Sequence, residues 1–467
     1  MRLLPALLFC VTVAAAVVPT GTAAQTLPAA ALAERVDAYL APLVAARQFS
    51  GVVRVQRGDT VLYERAAGPR DVAGGGLRRD DVFRIGSVTK PMTAVAVLRL
   101  AERGLVDLDS SACGIVARGG VACPQGWRAA TVRMLLNQTA GLPEYTERPT
   151  FPFLKNRHAA PAELLASLRG VPLTHTPGTA FAYSNTHYVL LGAVAEAVSG
   201  HAFADVLAHE VAGPLGLART AMESPAAQPV TGFTTEGGSV VPADSLDASV
   251  AFAAGGAVST AADVAAFARA LAAGPLLEAA TRAAMLTPAT ASGYGLGVVA
   301  VPYRGPVPDL QGTRVVWHNG SIDGFRSLFL TIPERDVTVV VLANLTEADA
   351  DGIGRDVLHL AVGLDVAPTL AEAVVVVGPE ALAGIVGVYR LAPTFDIAVR
   401  VSGARVAIQA TGQGEIEIFA ASADEFFARA VPARVEFARG ADGRATALTL
   451  VQSDETRVAP SIPKNEA

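Results

Sequence analysis

Two clusters of strand-like sequence lie at opposite ends of a helical region, and that separation restricts the fold more than any other feature. Residues 51–56 and 60–64, joined through Arg57-Gly58-Asp59, read as a hairpin. The next strand-like runs, residues 294–299, 313–318, 325–330 and 337–342, are short, β-branched or aromatic, and bounded by turns. Between Ser87 and about Leu286 the pattern is mainly helical, with long loops rich in Gly, Pro and Thr. This order implies one sheet assembled from both ends with the helical part inserted, an α+β fold with a cleft between two lobes.

A further helix over residues 347–364 is expected to pack on the sheet, ahead of a linker at 367–379. Beyond the linker the period becomes two. Phe395, Ile397, Val399 and Val401 alternate with Asp396, Ala398 and Arg400, while Val435, Phe437, the Ala441-Asp442-Gly443 turn, Leu448 and Leu450 read as another hairpin. Seven or eight short strands in ~90 residues predict a separate all-β barrel over 380–463.

Arg2, the apolar run 3–18 and the small residues Thr22-Ala23-Ala24 fit a secretory signal over residues 1–24. The expected location is therefore secreted or periplasmic, with an uncleaved anchor as the alternative; no other stretch has the length to span a bilayer. A formal net charge of -6 without a basic block argues against a nucleic-acid partner. Cys113 and Cys123 share one loop-like segment and, in an oxidising compartment, are candidates for a disulfide, two buried thiols being the other reading. The seven histidines are scattered and neither H-E-x-x-H nor C-x-x-C occurs, so no metal or other cofactor is expected.

Only three lysines are present, Lys90, Lys155 and Lys464, in a chain that otherwise uses Arg as its cation. An amine exchanges a proton near neutral pH once desolvated, whereas a guanidinium does not. Lys90 follows Ser87 by three residues in Phe83-Arg84-Ile85-Gly86-Ser87-Val88-Thr89-Lys90. Gly86 permits a sharp turn, Pro91 is tolerated in a first helical turn, and the apolar run after it stops at Gly104, so a helix starting near Ser87 puts both side chains on one face. Ser461-Ile462-Pro463-Lys464 repeats the spacing without that context.

Tyr183-Ser184-Asn185 is turn-rich and leads into an apolar helix ending at Gly200. Tyr183 beside Lys90 is a candidate general base, its phenolate favoured by the ammonium, and Asn185 offers an amide to Lys90 and to a substrate carbonyl. His318-Asn319-Gly320-Ser321 closes a strand. Gly320 there would let a substrate lie close, and the N–H of Ser321 would join that of Ser87 as an oxyanion hole.

In this order, Ser87-Val88-Thr89-Lys90, Tyr183-Ser184-Asn185 and His318-Asn319-Gly320 resemble the serine β-lactamase and penicillin-binding-protein superfamily, on the class C-like branch with D-stereospecific peptidases and esterases. The resemblance runs from roughly 36 to 364, through residues 130–143 and 254–260, within an expected hydrolase domain at 25–366. It implies a β-lactamase-like antiparallel sheet flanked by helices, Ser87 as acylated nucleophile, Lys90 as its proton partner, Tyr183 as acid or base, and Asn185, His318, Gly320 and Ser321 around the substrate. Residues from about 378 are similar to a lipocalin-like domain, which implies a barrel that walls the cleft or mediates oligomers.

Two departures bear on the substrate. His318 stands where the superfamily often has a lysine facing a carboxylate, and Asn137, Gln138 and Ala140 alter its Leu-Leu-Thr-His-Thr-Ser-Gly pattern. Esters or D-residue amides, small molecules or short peptides, are therefore expected above β-lactams, with activity following the ionisation of the His318 imidazole. The competing reading is a non-catalytic cell-wall-peptide receptor or scaffold. An α/β-hydrolase is excluded by the absence of a G-x-S-x-G elbow.

Overall fold

Val337–Ala343 is apolar at nearly every position because both faces of this strand are covered. Its alternate side chains point opposite ways. Val339 and Val341 join a core with Val53, Val55 and Leu328, while Val340 and Leu342 join a second core with Val52, Phe329 and the helical lobe. The strand lies inside a six-stranded antiparallel sheet ordered Thr60–Ala67, Gly51–Arg57, Val337–Ala343, Phe325–Ile332, Arg314–Ile322, Val299–Pro302. Gly51 pairs with Ala343 and Val53 with Val341, so the early hairpin is completed by strands from the far side of the helical insertion.

This computed structural model describes residues 27–462 apart from 125, 237–238, 245, 371, 373, 394, 404, 412–414, 429–432 and 453–454. Residues 1–24, expected to be a secretory signal, and Lys464 lie outside the described residues. Helix Ala29–Ala45, unread in the sequence, covers one sheet face with Leu32, Val36, Leu40 and Leu43, beside Ala350–Ala361, the shorter form of the helix expected at 347–364. On the other face lies the helical lobe. Its central helices, Thr89–Glu102 and Asn185–Ser199, are buried nearly all round, which is why neither shows a clean apolar stripe.

One strand was misplaced. Residues 294–298 are not strand, with Gly293 and Gly297 at φ 79° and 87°, and the strand begins only at Val299. The C-terminal domain, expected as all-β over 380–463, opens on a helix instead. Pro379–Ile385 is a helix, and the first barrel strand is Gly387–Ala392. Eight strands then close through Val388 opposite Ile462 and Tyr389 opposite Ser461. Leu382 and Ile385 of that helix enter the barrel core with Tyr389, Phe426 and Phe437, so side chains fill the interior. No single described helix is long and apolar enough to cross a membrane.

Candidate active site

Gly86 takes φ +48°, a conformation that favours glycine, and turns the chain into the 3₁₀ turn Gly86–Val88 that carries Ser87 into helix Thr89–Glu102. Lys90, one turn on, is fully buried. Its Nζ lies 2.9 Å from Ser87 Oγ, 2.7 Å from Asn185 Oδ1 and 2.8 Å from the Ala254 carbonyl oxygen. Two of these partners can only accept. A neutral amine with two N–H bonds satisfies both and turns its lone pair to the Ser87 hydroxyl. Burial brings the Lys90 pKa down to about 7, opposed by the charge of Glu144.

The acceptors are fixed by long-range structure. Asn185 starts its helix, where its N–H donates to Glu144 Oε2 at 2.5 Å and Ser184 caps by accepting from Thr186 N. A small sheet pairs Phe83 with Ser259 and Arg84 with Val258, locking segment 254–260 beside the nucleophile turn. Phe252 within Ala248–Gly255 adopts φ 40°, ψ -137°, a kink just ahead of the Ala253 and Ala254 carbonyls, which accept from Thr93 and Lys90. Such a conformation costs ~1–3 kcal/mol. Gly192 makes room for the Phe252 ring, since a Cβ there would overlap it.

Tyr183 packs its ring 4.9 Å from Lys90 Nζ, measured to the centroid. Although 43 % of the residue is exposed, its hydroxyl end is desolvated, which raises its pKa despite a hydrogen bond with Ser87. The expectation of an ammonium-favoured phenolate is therefore reversed. Tyr183 is a phenol at neutral pH and holds no negative charge.

His318 also departs from its expected role. It is buried, its Nδ1 lies 2.6 Å from the Asn319 carbonyl oxygen, and its Nε2 lies 3.1 Å from the Tyr294 hydroxyl. Nδ1 must carry the proton to meet a carbonyl, so Nε2 accepts from Tyr294. Burial, with the nearby Lys90 charge, holds the imidazole pKa down to about 3. His318 is thus neutral through the working range, and activity should not follow its ionisation. Gly320 lets its strand lie close to the nucleophile turn: a Cβ there would overlap the Ile85 carbonyl and the Ser327 hydroxyl and stand 3.0 Å from Ser87 N. Close contact between strand and turn brings Ser321 N toward Ser87. Gly320→Ala should therefore lower kcat on an ester about a hundredfold, as loss of one oxyanion donor does, with a smaller change in KM; steady-state kinetics checks this.

Several residues around the site were not read from the sequence. Tyr294 stacks on Phe181, Tyr183 and His318, with centroids 5.6, 6.3 and 5.8 Å away. The glycines at 293, 295 and 297 were its signal, since glycine weakens a strand and marks close approach. Gln138, at φ 62°, accepts from Ser184 N and pairs with His187, which in turn accepts from Leu142 N. Cys113 and Cys123 are joined as a disulfide, 5.7 Å between Cα atoms, away from the pocket lining. Ser87, Asn185, Ser321, Tyr145, Phe151 and Arg326 are among the residues lining a cavity of about 300 Å³. Phe153 instead faces outward, 79 % exposed. No group of metal-ligating side chains occurs among the described residues.

The Beta-lactamase family model matches residues 36–364, the whole two-lobed unit. The chain belongs to the Beta-lactamase family. A second match, to a domain of unknown function, DUF3471, spans 373–461. This Beta-lactamase-family chain is 26 % identical to penicillin-binding protein 4* of Bacillus subtilis, over 85 % of this chain and 91 % of that one. It is 35 % identical to esterase EstB of Burkholderia gladioli, over 42 % of this chain and 52 % of that one. A D-stereospecific amidohydrolase from Streptomyces sp. superposes with a TM-score of 0.58 at 27 % identity, covering 71 % and 97 % of the two chains. Relatives of the Beta-lactamase-family domain thus include serine hydrolases acting as esterases and amidases.

Proposed function

We propose that the protein is an exported serine hydrolase that cleaves esters or D-residue amides through an acyl-Ser87 intermediate. The observation that carries this reading is the Lys90 amine, buried, with a pKa of about 7, and 2.9 Å from Ser87 Oγ. The Ser87 proton passes to Lys90 as Oγ bonds to the carbonyl carbon, and the resulting oxyanion rests on the N–H groups of Ser87 and Ser321. Collapse breaks the bond to the leaving oxygen or nitrogen, which takes the proton from Lys90 through the Tyr183 hydroxyl. Water then repeats the sequence on the acyl ester and frees Ser87.

The esterase and D-stereospecific amidohydrolase among its relatives support the substrate class. A neutral, tyrosine-bound His318 supports the lower rank given to β-lactams, because the strand position where the superfamily often has a lysine carries no charge here. The leader-like residues 1–24 and the Cys113–Cys123 bond support export to an oxidising compartment. The test is mass spectrometry after fluorophosphonate treatment, followed by a panel of para-nitrophenyl esters, D-aminoacyl amides and penicillins. Label is expected on the peptide containing Ser87, with turnover of esters or D-aminoacyl amides. Label elsewhere, or efficient turnover of penicillins alone, would overturn the proposal.

A further inference from the structure

Arg326 is the cation of the catalytic pocket that the chemistry above leaves unused. It lies directly opposite Ser321 across the antiparallel pair Arg314–Ile322 and Phe325–Ile332. Directly opposed residues project from the same sheet face with Cβ atoms ~5 Å apart. Arg326 therefore stands one strand from the backbone N–H assigned to the oxyanion, and its side chain lines the same cavity as Ser87 and Ser321. Arg326 and Thr346 also line a neighbouring cavity of about 620 Å³, so the guanidinium sits where the catalytic pocket meets further space.

The acidic groups around Arg326 are engaged elsewhere. Asp323 pairs with Lys155 Nζ at 2.7 Å. Glu347 accepts from Thr234 Oγ1 and Thr235 N at 2.7 and 3.1 Å. Asp351 accepts from Asn319 Nδ2 at 2.7 Å. The hydrogen bond recorded for Arg326 runs from Nη1 to the Phe325 carbonyl at 3.0 Å, and no ion pair to it occurs among the described residues. A guanidinium offers five donors in a planar fork matched to carboxylate. Partial burial without a paired anion also lowers its pKa, a cost that a bound anion would relieve.

We infer that Arg326 binds a carboxylate carried by the substrate, making it the specificity-determining residue of this pocket. The inference rests on the hydrolase reading for its kinetic arm only. Two substrate pairs test it: the para-nitrophenyl half-ester of glutarate against a neutral branched ester of the same length, and aryl esters with and without a carboxyl group on the leaving phenol. In at least one pair the charged substrate should be preferred in kcat/KM by about tenfold, as for a charge-assisted contact. Arg326→Gln should erase that preference, Arg326→Lys should keep part of it, and Arg326→Glu should invert it.

Calorimetry with free glutarate gives a readout independent of turnover, with Arg326→Gln expected to bind about tenfold more weakly. No preference in either pair together with no Arg326-dependent glutarate binding would overturn the inference, as would a preference that survives Arg326→Gln. Glutarate bound through Arg326 by a protein that turns over no ester would instead uphold it and sink the hydrolase reading.

Discussion

Lys90→Met will leave a folded protein whose kcat/KM on any ester substrate is reduced about a thousandfold, the scale of a lost general base. Methionine fills much of the same buried volume but accepts no proton, so the Ser87 hydroxyl remains protonated during attack. Lys90→Arg should fail as completely, since a guanidinium does not release its proton. The same assignment fixes the pH profile. Lys90 must be neutral to accept, and its pKa stands at about 7. Wild-type kcat/KM should therefore be flat above that value and fall about tenfold per pH unit below it. His318→Gln should leave the midpoint in place, because the imidazole is neutral at every pH above about 3. Stopped assays from pH 5 to 9, with circular dichroism of each variant, check this; a midpoint that moves with His318, or survives Lys90→Met, would assign the base elsewhere.

Ser87→Ala should cost more still, about a millionfold in kcat, leaving only what the oxyanion donors and binding provide. Fluorophosphonate labelling should vanish with it. The double variant Ser87→Ala/Lys90→Met is the sharper measurement. Residues that act as one unit lose their effect together, so the double variant should be no slower than Ser87→Ala alone. Multiplying losses would mean that Lys90 serves binding or folding and not proton transfer from Ser87. Quenched-flow release of para-nitrophenol supplies the rates.

The residues that declare themselves in the sequence are those whose partners are near in the chain or whose type is rare. Ser87 and Lys90 are one helical turn apart, and lysine is scarce enough for Lys90 to stand out. The sheet was readable because the Phe- and Leu-rich run at 325–330 and the Val-rich run at 337–342 are short, apolar and bounded by turns, as buried strands are. Tyr294, Gln138 and Phe252 were not, because each owes its place to packing against segments far away: Tyr294 against His318, Gln138 against Ser184 and His187, Phe252 against Gly192. The errors at Tyr183 and His318 share one cause. Sequence shows that a charge is near, but the cost of removing a group from water depends on how deeply the folded chain buries it.

The pairing of Gly51 with Ala343 sets the order of assembly. Loop closure must precede the contacts that reward it, so a chain whose central sheet joins such distant partners acquires its native core late and slowly. While it is being synthesised, the first hairpin has no finished sheet to join until Val337–Ala343 has left the ribosome. Such a polypeptide carries an open, unpaired sheet edge for most of its birth, so its far-separated strands complete one another only at the end.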